Sequence, residues 1–215
     1  MRYIYFLFGT VFIVFGIYTA GIYLDLYGEL EEPGYSINSE LPKSLVDQKL
    51  ISQKPFGREK QILFGDTHVH TTYSTDAFLW SLPILNGEGP HPIADACDFA
   101  RFCANLDFWV STDHAEALTP RKWKSIKEAV RNCNSPTDAN DPDLVTFLGY
   151  EWTQVGNTAE THYGHKNVMF LDIEEGKVPE RAIGAGGLAT NGMRAGIPGQ
   201  SRQLRPAALL DFENR

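Results

Sequence analysis

Three apolar runs of strand length divide the middle of this chain, and each hands over to a histidine or a carboxylate. Ile62-Leu63-Phe64, which reads as a buried strand, leads into Gly65-Asp66-Thr67-His68-Val69-His70, Leu106 to Ser111 leads into Thr112-Asp113-His114, and Leu144 to Tyr150 leads into Glu151. Helical patterns separate them. Pro92 to Asn105 carries Ile93, Ala96, Cys97, Ala100 and Cys103 at helical spacing. The segment opened by Thr119-Pro120 carries Trp123, Ile126, Ala129 and Val130 as far as Asn132-Cys133-Asn134. A fourth run, Val168 to Leu171, follows His165-Lys166-Asn167, and a short helix is expected from Pro206. Strand, helix, strand, helix, strand, strand is an α/β rhythm that predicts a parallel sheet or barrel. In such barrels the active site forms at the C-terminal ends of the strands, which is where the polar residues of this chain collect.

His68 and His70 stand at i and i+2, so on an extended segment both imidazoles point to one side and can reach one ion. Taken singly, each polar residue has a plainer reading. The two histidines could be surface groups on a loop, His114 a helix-entry residue, and Glu151 a surface charge. Their shared position at successive strand ends favours a metal site. Mixed imidazole and carboxylate ligands suit Zn, Mn or Fe. A carboxylate shared by two ions ~3.5–4 Å apart is the geometry used for hydrolysis at phosphorus, and Glu151 is the residue expected between them.

The stretch Gly65 to Asp76 resembles the first motif of the PHP (polymerase and histidinol phosphatase) superfamily. Asp113-His114 resembles its second motif, Glu151 its third and His165 its fourth. Thr112-Asp113-His114-Ala115-Glu116, Gly149-Tyr150-Glu151-Trp152-Thr153 and Gly164-His165-Lys166-Asn167 are similar to an uncharacterised, exported, DUF3604-like branch of it. The resemblance implies an α/β fold, the N-terminal part of a distorted (β/α)7 barrel, with up to three divalent metal ions at its mouth. His68, His70 and Glu151 would hold the first ion, Glu151 and His165 the second, and Asp76 and His114 the third. Asp66 and Asp113 would support these ligands from behind. The implied reaction is attack of metal-activated water on a small, phosphorylated substrate, with Glu151 and His165 at the reacting centre. His162, Lys166 and Arg121 are candidates for substrate contact, and each could equally be a solvated charge. A non-catalytic exported binding or structural protein on the same scaffold is the alternative.

Two departures from the superfamily stand out. Asp76 occupies a position where other members place histidine, which leaves metal preference more open. No histidine follows His165, so the later ligands of the superfamily are not supplied by this sequence. The residues after Lys60 number about 155, fewer than the ~200 that such a barrel needs. The expectation is an N-terminal portion of a longer protein, with an open sheet edge and an unfinished site.

Ahead of this region, Tyr3 to Leu24 contains no charged side chain, and as a helix a run of that length reaches ~33 Å, enough to cross a hydrocarbon core. Arg2 precedes it, while Asp25, Glu29, Glu31 and Glu32 follow, a bias that sends the remainder of the chain across the membrane. Residues 1–25 are therefore expected to be a signal anchor, with a cleaved signal peptide as the alternative. Residues 26–60 read as a polar tether, in which Leu41 to Leu50 can form one short helix, and 61–215 as the metal-dependent domain. The protein would then face the periplasm or cell exterior. A net charge of -8 and a pI near 5.2 argue against a broad nucleic-acid-binding face.

The three cysteines show no C-x-x-C spacing, so zinc-ribbon and thioredoxin readings are unsupported. Export would place them in an oxidising compartment. Cys103 and Cys133 each end a predicted helix and are expected to pair. Cys97 could replace Cys103 as the partner, and three free thiols remain a further option.

Overall fold

A computed structural model describes residues 2–23, 33–54, 60–74, 76–77, 91–135, 141–156 and 158–186. The helix expected from Pro206 and most of the loop before Pro92 lie outside the described residues. The elements in order are α1 (Arg2–Tyr23), α2 (Lys43–Gln53), β1 (Gly65–Val69), α3 (Ile93–Asp98) with a π-helical continuation (Phe99–Cys103), β2 (Phe108–Ser111), a 3-10 turn (Ala115–Ala117), α4 (Pro120–Asn134), β3 (Val145–Gln154) and β4 (Gly164–Phe170). The four strands form a single curled sheet, half a barrel, in the order β1-β2-β3-β4.

β1, β2 and β3 are parallel neighbours joined through helical crossovers, with Gly65 opposite Phe108 and Phe108 opposite Val145. β4 departs from the expected parallel arrangement. It runs antiparallel to β3, with Thr153 opposite His165 and Leu148 opposite Phe170. Residues 155–163 are too few for the crossover that a parallel partner needs, so the chain turns back as a hairpin.

α4 shows how the sequence builds the layer behind the sheet. Thr119 caps it by accepting from the N–H of Lys122 at 3.3 Å, and Pro120 occupies the first turn. Trp123, Ile126, Val130 and Cys133 fall on one stripe and are all buried. Burying each of the large ones contributes about 1.5–3 kcal/mol. Trp123 meets Tyr150 and Phe170 edge-on, with ring centroids 5.8 and 6.2 Å away, so α4 grips both strands of the hairpin.

Three expectations need correction. Ile62, Leu63 and Phe64 do not form a buried strand. They precede β1 and are exposed, because β1 is the outer strand of the sheet. Phe64 is nevertheless fixed, its N–H donating to Asp107 Oδ2 and its carbonyl accepting from the Asp107 N–H, both at 2.7 Å. The disulfide joins Cys97 to Cys133, not Cys103 to Cys133, and Cys103 is a free, exposed thiol. Six residues separate Cys97 from Cys103, which places them about 120° apart even on a regular α-helix, so only one of them can face α4. Finally, the segment before β1 is more than a tether. α2 is docked under the sheet by Lys49, which donates to the carbonyls of Leu106 and Asp143, and by Gln53, which donates to Asp107 Oδ1 at 2.6 Å.

The side chains described along α1, Tyr3 to Ile17, are exposed. Among the described residues no helix is long and apolar enough to cross a membrane. The membrane-crossing helix expected from Tyr3 to Leu24 thus gains no support from the fold.

Candidate metal centre

The curl of the sheet gathers six side chains at the C-terminal ends of β1 and β2 and on the adjoining face of β3 and β4. His68 lies in β1 and His70 just beyond it, Asp76 in a helical turn that follows, and His114 just after β2. Glu151 lies inside β3, which continues to Gln154, so it does not end its strand as the sequence suggested. A single parallel bridge between His114 and Glu151, with the Glu151 N–H donating to the Asp113 carbonyl at 3.1 Å, brings these two residues level. The six line an open basin of about 570 Å³.

Three groups of ligand-type atoms form within it: His68, His70 and Glu151; His70, Asp76 and His114; and His114, Glu151 and His165. Glu151 is 1 % exposed. Its Oε2 lies 2.8 Å from His70 Nε2 and 3.1 Å from His68 Nε2, and those two nitrogens are 3.0 Å apart. Ligand atoms of a tetrahedral zinc site stand ~3.3 Å from one another, so this trio is close to ligand spacing. His114 Nε2 faces Asp76 Oδ2 at 3.1 Å, and His70 Nδ1 lies 3.5 Å from Asp76 Oδ1. His165 Nδ1 presses against Glu151 Oε1.

The donor set fits divalent cations. Glu151 Oε1 and His70 Nδ1 are buried and lack a hydrogen-bond partner of acceptable geometry, which buried polar atoms in a finished protein rarely do. Four imidazoles around two carboxylates suit Zn, Mn or Fe. The protonation balance shows the same strain for positive charge. Burial disfavours the charged form of His70, yet the carboxylates of Asp76, Asp113 and Glu151 outweigh it and raise its pKa above the ordinary value. Burial also pushes Asp76 up, but hydrogen bonds from His114 and His70 hold it well below the usual carboxylate range. Glu151 is likewise lowered against the effect of burial, by His114, His68, His70 and His165.

The supporting residues are set by short hydrogen bonds. Asp113 is fully buried and accepts from the N–H and hydroxyl of Thr71 at 2.7 and 2.9 Å and from the Ser74 hydroxyl at 3.0 Å. The Ser74 oxygen in turn accepts from the His114 N–H at 3.0 Å. Asp113 therefore fixes the loop that follows His70 and leads to Asp76. Asp66 has a local role, its Oδ1 accepting from the His68 N–H at 2.9 Å. The weaker candidates fall outside the basin. His162 contacts the backbone of Gly156, Lys166 donates to the Tyr163 carbonyl at 2.9 Å, and Arg121 is exposed on α4.

Sequence reading passed over Thr153 and Glu116. Thr153 is two residues from Glu151 on the same strand, so the period of two places both on one face. Its hydroxyl touches Nδ1 of both His114 and His165, at 2.9 and 3.1 Å. Glu116 is buried beneath it, with Oε1 accepting from the Thr153 N–H at 2.9 Å. The signal for Thr153 was legible in that two-residue spacing; Glu116 carried none.

A family model described as a protein of unknown function, DUF3604, matches residues 57–122. That span holds His68, His70, Asp76, Asp113 and His114 and stops before Glu151 and His165. No curated protein and no solved structure matches the chain.

Proposed function

We propose that this chain carries the site of an exported, PHP-type metal-dependent hydrolase that cleaves a phosphoester with activated water. The observation that carries the reading is the position of Glu151, a buried carboxylate shared between two of the three ligand groups. His68, His70 and Glu151 would hold one ion, Glu151 and His165 a second, and Asp76 and His114 a third. When bound, such ions lower the pKa of water and stabilise negative charge on phosphoryl oxygens. The chain's own part is to fix these ligands through Asp113, to keep Glu151 away from bulk water, and to leave the basin open for substrate. No lysine or arginine lines the basin among the described residues, so the attraction of an anionic substrate rests on the ions.

A groove of about 950 Å³ adjoins the basin at His68 and His70, walled by Val69, Phe99, Leu106 and Trp109. It suits the organic portion of a substrate. Asp66, Asp95 and Asp98 also line it, which favours a neutral portion over an anionic one. The Cys97–Cys133 disulfide and the uncharged run from Tyr3 to Leu24 support export.

The test is elemental analysis of protein purified without chelators, alongside Glu151→Ala, followed by turnover assays on chromogenic phosphomonoesters and phosphodiesters. Two or three transition-metal ions in the wild type, their loss in the variant, and turnover that a chelator abolishes are expected. A protein that stays metal-free after reconstitution with Zn and Mn overturns the reading. Bound metal without turnover on any ester leaves the scaffold as a binding protein.

A further inference from the structure

His114 has two nitrogens and two claims on it. Its Nε2 lies 3.1 Å from Asp76 Oδ2, on the side of the group formed with His70 and Asp76. Its Nδ1 lies 3.5 Å from Glu151 Oε2, on the side of the group formed with Glu151 and His165. A neutral imidazole has a single lone pair to give, because the other ring nitrogen carries the proton. His114 therefore serves one group at a time, and the partner of its other nitrogen decides which.

That partner is Thr153. Its hydroxyl oxygen is 2.9 Å from His114 Nδ1, nearer than Glu151. The residue is 2 % exposed, so water does not compete for the contact. Its position is fixed twice over, by the pairing with His165 across the hairpin and by the N–H bond to the buried Glu116 carboxylate. A hydroxyl offers two acceptor positions beside its one proton. Thr153 can thus take a proton-bearing Nδ1 from His114 and still sit 3.1 Å from His165 Nδ1, which is left to face Glu151 Oε1.

We propose that Thr153 is the positioning residue that commits His114 to the Asp76 side of the centre: Oγ1 accepts the Nδ1–H, and the Nε2 lone pair is turned toward the ion held with Asp76. The inference rests on the metal reading above. It adds that the two neighbouring groups do not share His114, and that the group around Glu151 and His165 works without it.

The experiment uses zinc as the probe and compares wild type, Thr153→Val, which keeps the shape and removes the hydroxyl, and Thr153→Ser, which restores it. Zinc per chain and resistance to a competing chelator are measured, with imidazole nitrogen NMR of the zinc-loaded wild type to locate the His114 proton. Thr153→Val is expected to weaken one ion by ~10–100-fold and to spare the ion at His68, His70 and Glu151, and Thr153→Ser to bind as wild type does. Combining Thr153→Val with Asp76→Ala should lose no more zinc than Asp76→Ala alone. The wild-type spectrum should show His114 protonated at Nδ1 and bound through Nε2. Zinc binding with His114 bound through Nδ1, or a folded Thr153→Val that keeps every ion at wild-type affinity, overturns the role of Thr153 while the metal reading stands. No zinc binding by the wild type overturns both. If Thr153→Val does not fold, the serine variant and the wild-type spectrum still decide.

Discussion

His70 follows β1 and Glu151 lies in β3, two strands away, yet His70 Nε2 and Glu151 Oε2 stand 2.8 Å apart. A flat sheet would hold strands two places apart ~9.5 Å from each other. The two side chains reach toward each other across β2 within the curled sheet, and Glu151 is shared by two of the three ligand-type groups. Glu151→Ala is expected to weaken both ions that share it by ~100-fold or more, since loss of a direct ligand exceeds the 10–100-fold that follows loss of an outer partner. Glu151→Asp should keep part of the binding. Metal content after gel filtration reads both, and an alanine variant with full metal content contradicts the shared role.

Asp113 makes a different kind of contribution. It accepts three hydrogen bonds in a fully buried setting, and Asp113→Ala strands all three donors. A destabilisation of about 3–5 kcal/mol is expected, with the Asp76-side ion bound more weakly because the loop after His70 loses its anchor. Urea unfolding of the metal-free protein measures the first effect. A change within ~0.5 kcal/mol, the range of ordinary surface substitutions, would show that the loop holds itself.

The raised pKa of His70 sets the direction of a pH effect. Protons compete with metal for its lone pair, so metal affinity should climb as pH rises through the His70 pKa, which lies above the ordinary imidazole value, and level off beyond it. In the metal-free protein the sign for stability is opposite. Protonated His70 stabilises the fold fully below its unfolded pKa, and that contribution disappears as pH rises through the folded one. Glu151→Gln should lower the His70 pKa by removing one of the carboxylates that raise it. Zinc titrations of the wild type from acid to mildly alkaline pH test the first claim, imidazole NMR of the metal-free protein with and without the substitution tests the second, and an affinity independent of pH contradicts the order.

The Cys97–Cys133 disulfide closes a loop 36 residues apart in sequence that contains β2 and most of α4. Its removal by Cys97→Ala with Cys133→Ala should lower stability by about 2–4 kcal/mol under oxidising conditions. Cys103→Ser should be close to neutral, because that thiol is exposed. Alkylation of the folded, unreduced protein followed by mass spectrometry is expected to label Cys103 alone. Labelling of Cys133 as well would refute the pairing.

The candidate ligands that the fold gathers were partly legible in the chain. A strand brings His68 and His70 to one side by its period of two, and the apolar runs before His114 and Glu151 announced neighbouring strands. α4 was legible to within a residue, because Thr119, Pro120 and the stripe from Trp123 to Cys133 are all local signals. The errors came where a neighbour decides. Ile62 to Phe64 looked like a buried strand because apolarity does not reveal which strand will be outermost. Cys103 looked like the partner of Cys133 because each ends a helix, but position along a helix does not say which face meets its neighbour. β4 was expected parallel, although its short connection already argued for a hairpin.

The sequence by itself determined which side chains have metal-binding chemistry and which elements carry them, since side-chain chemistry and periodicity are properties of the chain. Only the tertiary structure decided how these candidates are grouped. Within the curled sheet Glu151 met His68 and His70, Asp113 fixed the loop leading to Asp76, and Thr153 came to lie between His114 and His165. Those relations are distances between atoms far apart in sequence, and no local pattern encodes them.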